Sequence, residues 1–136
     1  MEILLVEDNP ADVVLMQEAL CEIEAEVELS VSESGELALG RLRSAQPLPD
    51  LVILDLNLPG KHGIVVLEEM KNDARLRPIP VIVLSSSGDH RDVKAVYDHN
   101  GNCFVRKPGE YDEFVKVMER LEKFWVETAY LSPRED

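Results

Sequence analysis

With 136 residues, 45% of them hydrophobic, the chain predicts one domain with its own core. Its 27 Asp and Glu against 14 Lys and Arg leave a formal charge of −13, which excludes a direct nucleic-acid reader, because phosphate backbones are bound through clustered cations. Apolar runs are no longer than strands, so none spans a bilayer; the start Met1-Glu2-Ile3-Leu4 lacks the basic and apolar regions of a secretion signal, and the cytoplasm is the expected address.

The first apolar run, Ile3 to Val6, reads as a strand. Asn9-Pro10 then opens a helix, Asn9 supplying a side-chain acceptor and Pro10 a pre-set first helical φ. Val27 to Val31 is the second strand, and its alternation of apolar and polar residues places it at a sheet edge. Ser34-Gly35 begins the second helix. Pro47-Leu48-Pro49 precedes the third strand, Leu51 to Leu54; Pro59-Gly60 marks the turn after it, and the third helix runs from Gly63 to Asn72. Pro78-Ile79-Pro80 leads into the fourth strand, Val81 to Leu84, followed by a helix from Asp89 to about His99. Cys103 to Val105 is the last strand. A long fifth helix is expected from about Tyr111 towards Tyr130, with Phe114, Val117, Met118, Leu121 and Trp125 on one stripe.

Strand-length apolar runs alternating with helical stretches are the mark of βα units and a doubly wound parallel sheet. No linker or second domain is expected, and Ser132 to Asp136 reads as a short polar tail after a domain spanning 1–131. Cys21 and Cys103 lack metal or redox spacing and read as buried thiols, and His62, His90 and His99 are too scattered to be grouped as ligands. Trp125, Tyr130 and Leu131 leave two uses open, closure of the domain's own core or a dimer or partner patch.

In such sheets ligands bind beyond the carboxyl ends of the strands. Here those ends carry Glu7-Asp8, Asp55, Ser85 and Arg106-Lys107. Two carboxylates about 4 Å apart repel by roughly 4 kcal/mol at an effective dielectric near 20, so the cluster calls for a cation. Oxygen ligands in an incomplete cage suit Mg²⁺, which also takes phosphate oxygens. The loop after the first strand presents acids where nucleotide sites present glycines, and neither GxxxxGK[ST] nor GxGxxG occurs. A phosphoryl group bridged by Mg²⁺ and paired with Lys107 remains compatible, with Asp55 as the best-placed nucleophile for an acyl phosphate. Taken singly, each residue has a plainer role: Asp8 as a helix cap, Asp55 as a turn former, Ser85 beside Ser86 and Ser87 as a solvated hydroxyl, Lys107 as a surface cation.

Four motifs in order, Ile3-Leu4-Leu5-Val6-Glu7-Asp8-Asn9, Leu54-Asp55-Leu56-Asn57-Leu58-Pro59-Gly60 to Gly63, Val83-Leu84-Ser85 and Lys107-Pro108, resemble the receiver domain of two-component response regulators. The resemblance implies a five-stranded parallel sheet in the order 2-1-3-4-5 with five flanking helices, and Mg²⁺-dependent phosphoryl transfer from the histidine of a sensor kinase. Asp55 would be the acceptor; Asp8 and Asp55 would hold Mg²⁺ through side chains, Glu7 through a water and Asn57 through its backbone carbonyl. Ser85 would hydrogen-bond the phosphoryl oxygens, Lys107 would pair with them, Lys107-Pro108 would be a cis peptide, and Phe104 would occupy the aromatic switch position. More closely, Asp89-His90-Arg91-Asp92-Val93, Asn102-Cys103-Phe104, Glu113-Phe114-Val115 and Phe124-Trp125 resemble the small regulators of phytochrome kinases, which implies a phytochrome-type kinase partner, homodimers and no output domain.

The sequence departs from the family at His62, where Asp is usual, at Ser85, where Thr is more frequent, and at Phe104, where Tyr is more frequent; Phe104 brings no phenolic oxygen to the switch. Two other functions compete with a phosphorylated receiver. A haloacid-dehalogenase-type phosphatase would need an acid two residues after its nucleophile, where Asn57 stands; a phosphorylation-independent binding module would make no use of Asp8, Asp55 and Lys107.

Overall fold

Side chains alternate between the two faces of a strand, yet every residue of Leu51–Leu54 and of Val81–Ser85 is buried, which requires cover on both faces of the sheet. The computed structural model describes residues 1–44 and 47–133 and supplies that cover. Strands β1 (Glu2–Val6), β2 (Glu28–Ser32), β3 (Leu51–Leu54), β4 (Val81–Ser85) and β5 (Cys103–Arg106) pair in parallel in the order β2-β1-β3-β4-β5. This is the expected order, with the alternating strand β2 at one edge, and the strand ends differ from expectation by a single residue. Helices α2 (Gly35–Ser44), α3 (Gly63–Asn72) and α4 (His90–Asp98) bury Leu39, Leu42, Leu67, Met70 and Val96 against Leu4, Val6, Val52, Leu54, Val81 and Val83. On the opposite face α1 (Pro10–Glu22) and α5 (Tyr111–Leu121) bury Met16, Ala19, Leu20, Phe114 and Met118 against Ile3, Leu5, Ile53, Ile82 and Leu84.

Local signals set the helix starts. Asn9 accepts the Ala11 N–H at 2.9 Å with Pro10 at the first helical position, as expected. His62, at the position where the family usually has Asp, caps α3 by accepting the Ile64 N–H on Nδ1 at 3.1 Å. At the far end of the sheet the Lys71 ammonium donates to the carbonyls of Arg77 and Ile79, both at 3.0 Å, and to Asn102 Oδ1 at 3.1 Å. Asn102 Oδ1 also accepts the Val81 N–H, so this one knot holds the starts of β4 and β5 in register.

Two expectations are corrected. The last helix is not continuous to Tyr130: α5 ends at Leu121, a π-helical stretch covers Glu122–Thr128, and Tyr130 lies beyond it, fully exposed. The wider turn places Trp125 half-buried against the α1/α5 core while Phe124, edge-on to it at 5.2 Å, is 54% exposed. Nor is Cys21 a core residue, while Cys103 packs, partly buried, against the α1/α5 core. Cys21 follows Gln17 and Glu18 on the solvent side of α1, off the Met16, Ala19 and Leu20 stripe, and Cys103 is only half-buried on edge strand β5. Burial there raises the Cys103 thiol above its ordinary range. Of the tail expected over 132–136, residues 134–136 lie outside the described residues.

Gly63 packs α3 onto the end of β3: a Cβ there would sit 2.6 Å from the Asp55 carbonyl oxygen and 2.7 Å from Leu56 Cα, both backbone atoms that cannot step aside. Gly63→Ala is therefore expected to cost about 1–3 kcal/mol of stability in urea denaturation. Gly40→Ala on the solvent side of α2, where nothing lies within 4 Å, is expected to gain about 0.4–1 kcal/mol in the same assay.

Candidate functional site

Pairing continues one residue beyond the strands at their carboxyl ends. Glu7 N–H reaches the Ser32 carbonyl at 3.0 Å, Asp55 N–H the Val6 carbonyl at 3.1 Å, and Lys107 N–H the Ser85 carbonyl at 2.7 Å. The sheet thus fixes the backbone of the first residue of each functional loop. One carboxylate oxygen from each of Glu7, Asp8 and Asp55 falls within 4.8 Å of the others. Glu7 is buried, Asp55 half-buried and Asp8 exposed.

The cluster is balanced by one long side chain from the far strand. Lys107 Nζ donates to Glu7 Oε1 at 2.9 Å and to Asp12 Oδ2, on the first turn of α1, at 3.2 Å. Its side chain is only 13% exposed, so the pair with Glu7, 4% exposed, is screened little by water. Burial holds the Glu7 carboxyl above its ordinary range, with the nearby charge of Asp55 pushing the same way and Lys107 opposing both. Burial would lower the ammonium of Lys107, but the hydrogen bond and charge of Glu7, with the charge of Asp12, keep it above its ordinary value.

Asp55 Oδ1 accepts a long hydrogen bond from the Asn57 N–H at 3.4 Å, and Glu7 Oε2 accepts the Asn9 N–H at 3.3 Å. Beneath the acids a cavity of about 350 Å³ opens between α1 and α5, lined by Glu7, Asp12, Asp55 and Lys107 at its polar end and by Leu84 and Phe114 deeper in. Ser85, wholly buried, accepts the Ser87 N–H on Oγ at 3.3 Å, and the Ser87 hydroxyl in turn donates to Asp92 at the start of α4. Phe104 lies half-buried against the α2/α3/α4 core, its backbone N–H bonded to the Tyr97 hydroxyl at 3.1 Å.

Glu7, Asp8, Asp55, Ser85 and Lys107 therefore lie at the carboxyl ends of their strands, with Asn57 two residues beyond Asp55 and Phe104 inside β5. The plainer role for Asp8 is not needed, since Asn9 is the cap. Sequence reasoning missed Asp12 as the second partner of Lys107 and Tyr97 as a partner of Phe104. Neither carried a signal in the sequence: Asp8 precedes the helix that starts at Pro10, so the helical period does not relate it to Asp12, and the Tyr97 contact joins α4 to β5 across the fold.

The response regulator receiver domain family model matches residues 3–119. The chain belongs to the response regulator receiver family. Among its relatives, response regulator Rcp1 of Synechocystis sp. is 40% identical over 134 residues, 95% of this chain and 91% of Rcp1. The phosphorylated cyanobacterial phytochrome response regulator RcpA superposes with a TM-score of 0.91 at 39% identity, covering 97% of this chain and 98% of the other. The Mn²⁺-bound form of Rcp1 gives a TM-score of 0.89 at 39% identity over 97% of this chain and 99% of its own. Receivers bind a divalent cation, and the oxygen-only donor set of Glu7, Asp8 and Asp55 fits one. Family membership also sets aside the phosphatase alternative.

Lys107→Met is expected to leave the buried Glu7 carboxylate unpaired and to cost about 3 kcal/mol at pH 7 without added metal. Protonation of Glu7 removes the unpaired charge, and its folded value already lies above 4.5, so the deficit relative to the unsubstituted receiver should shrink as pH falls from 7 towards 5. Urea denaturation of both proteins at the two pH values measures it.

Proposed function

We propose that this receiver works in the cytoplasm, accepts a phosphoryl group on Asp55 from the histidine of a sensor kinase of the phytochrome type, and signals by changing its association with a partner or with itself, with residues 1–131 as the receiver unit. The observation that carries this reading is the convergence of three carboxylates within 4.8 Å beside a buried ammonium at one sheet edge. Kinship with RcpA and Rcp1 supports the kinase class.

In this reading Asp8 and Asp55 hold Mg²⁺ through their side chains, Glu7 through a water and Asn57 through its carbonyl. Bound there, the ion supplies positive charge that offsets the acids and the incoming phosphoryl oxygens. An Asp55 oxygen forms the new P–O bond as the P–N bond to the kinase histidine breaks, so the chain itself contributes the nucleophile. Lys107, already charged and held at the site, pairs with a phosphoryl oxygen. Ser85 offers its hydroxyl to another, turning from its bond with the Ser87 N–H. The space it leaves admits the Phe104 ring, with Lys107-Pro108 as a cis peptide setting the loop beside it. Phe104 adjoins both β4 and α4, so its movement resets the α4–β5 face. Moving such a switch from mostly off to mostly on takes about 5.5 kcal/mol of differential binding, within reach of a buried phosphoryl group with three charged or hydroxyl partners.

Intact mass and size-exclusion elution after incubation with Mg²⁺ and acetyl phosphate test it. The unsubstituted chain is expected to gain one labile phosphoryl group and to elute earlier as a homodimer, while Asp55→Asn gains none and keeps its elution volume. Absence of uptake with cation binding intact would instead favour a module that binds its partner without phosphate.

A further inference from the structure

Lys107 is committed elsewhere before any phosphoryl group arrives. Its Nζ is held by Glu7 at 2.9 Å and Asp12 at 3.2 Å, and among the described residues it makes no ion pair with Asp55. Two of its three N–H donors are thus taken, and any movement of Nζ towards an oxygen on Asp55 that lengthens these contacts weakens them. Glu7 is buried within the acid cluster; the Asp12 side chain, on the first turn of α1, is 30% exposed and, among the described residues, its carboxylate has no side-chain hydrogen-bond partner besides Lys107. A bond made before transfer and weakened during it stabilises the starting state alone, and so raises the barrier.

Asp12 acts in a second way with the same sign. It lines the same cavity as Asp55, so its charge opposes an anionic phosphodonor already repelled by Glu7, Asp8 and a chain of net charge −13. We propose that Asp12 is a positioning residue that restrains phosphoryl transfer to Asp55 by holding Lys107 back from the acceptor. This rests on Asp55 being the acceptor.

The test follows uptake of phosphoryl from acetyl phosphate by the full chain at saturating Mg²⁺, as a function of donor concentration. Asp12→Asn is expected to raise the rate about two- to fivefold, the scale of a partly exposed ion pair, and the gap should narrow at high salt. Asp12→Glu keeps the charge and is expected to transfer at close to the unsubstituted rate. Asp12 also favours the α1 macrodipole, so the Asn variant is expected to lose some stability; a role confined to the helix would move Tm and leave the rate unchanged. A rate for Asp12→Asn equal to or below that of the unsubstituted chain, whatever its Tm, overturns the proposal. Failure of the unsubstituted chain to gain a phosphoryl group at all would be visible separately by mass, and would overturn the assignment of Asp55 and this inference with it.

Discussion

The ion pair between Lys107 and buried Glu7 is the condition on which the acidic edge of the sheet depends. Carboxylates from the ends of β1 and β3 are forced together by the register, which sets Val6 opposite Leu54. Nothing in those two strands offsets the repulsion. The compensating charge arrives 100 residues after Glu7, from the loop after a strand separated from β1 by β3 and β4, and the long lysine side chain meets Glu7 over the carboxyl ends of the strands between. The fold must therefore close its last strand before its first loop is electrostatically settled. The Lys71 knot at the opposite end of the sheet serves the same closure, since it fixes where β4 and β5 begin and thereby where Ser85 and Lys107 end.

Much of this was legible in the sequence because the physical signals are local. Strands buried on both faces read as unbroken apolar runs, and Leu51–Leu54 and Val81–Ser85 show them most plainly. The edge position of β2 followed from its alternation, and α1 from Asn9-Pro10. The strand-end residues Glu7, Asp8, Asp55, Ser85 and Lys107 followed from knowing the strands and the rule that function sits at their carboxyl termini. The strand-end chemistry alone marked Asp55 as the expected nucleophile and the acids as an expected cation site; which atom would hold the cation, and how, came only from the resemblance.

What the sequence did not disclose depends on long-range geometry. That Lys107 would choose Asp12 as well as Glu7 is a matter of how α1 leaves the sheet, and no periodicity encodes it. The change from α- to π-helix after Leu121 escaped because Trp125 continues the apolar stripe in sequence while the backbone widens its turn to seat it. Cys21 was misplaced for the opposite reason: a residue type with a strong preference for interiors sat one position off the buried stripe, where the helix period and not the residue decides exposure. His62 shows a third kind of difference. The imidazole that departs from the usual acid retains the one property the helix start requires, a lone pair aimed at the Ile64 amide.

The hydroxyl of Tyr97 bears on how the molecule avoids its own kind. β5 is an edge strand, and the Phe104 amide on its open side would otherwise be a ready donor for a strand of another chain. A phenol from α4 occupies that donor from within the same molecule, although Tyr97 itself is half exposed. Together with the Arg106 side chain lying along Gly88, this leaves the edge partly covered, so that copies meeting there encounter side chains before they can zip backbone to backbone. For a chain of net charge −13, whose copies repel one another at low salt, that cover matters most when salt screens the repulsion.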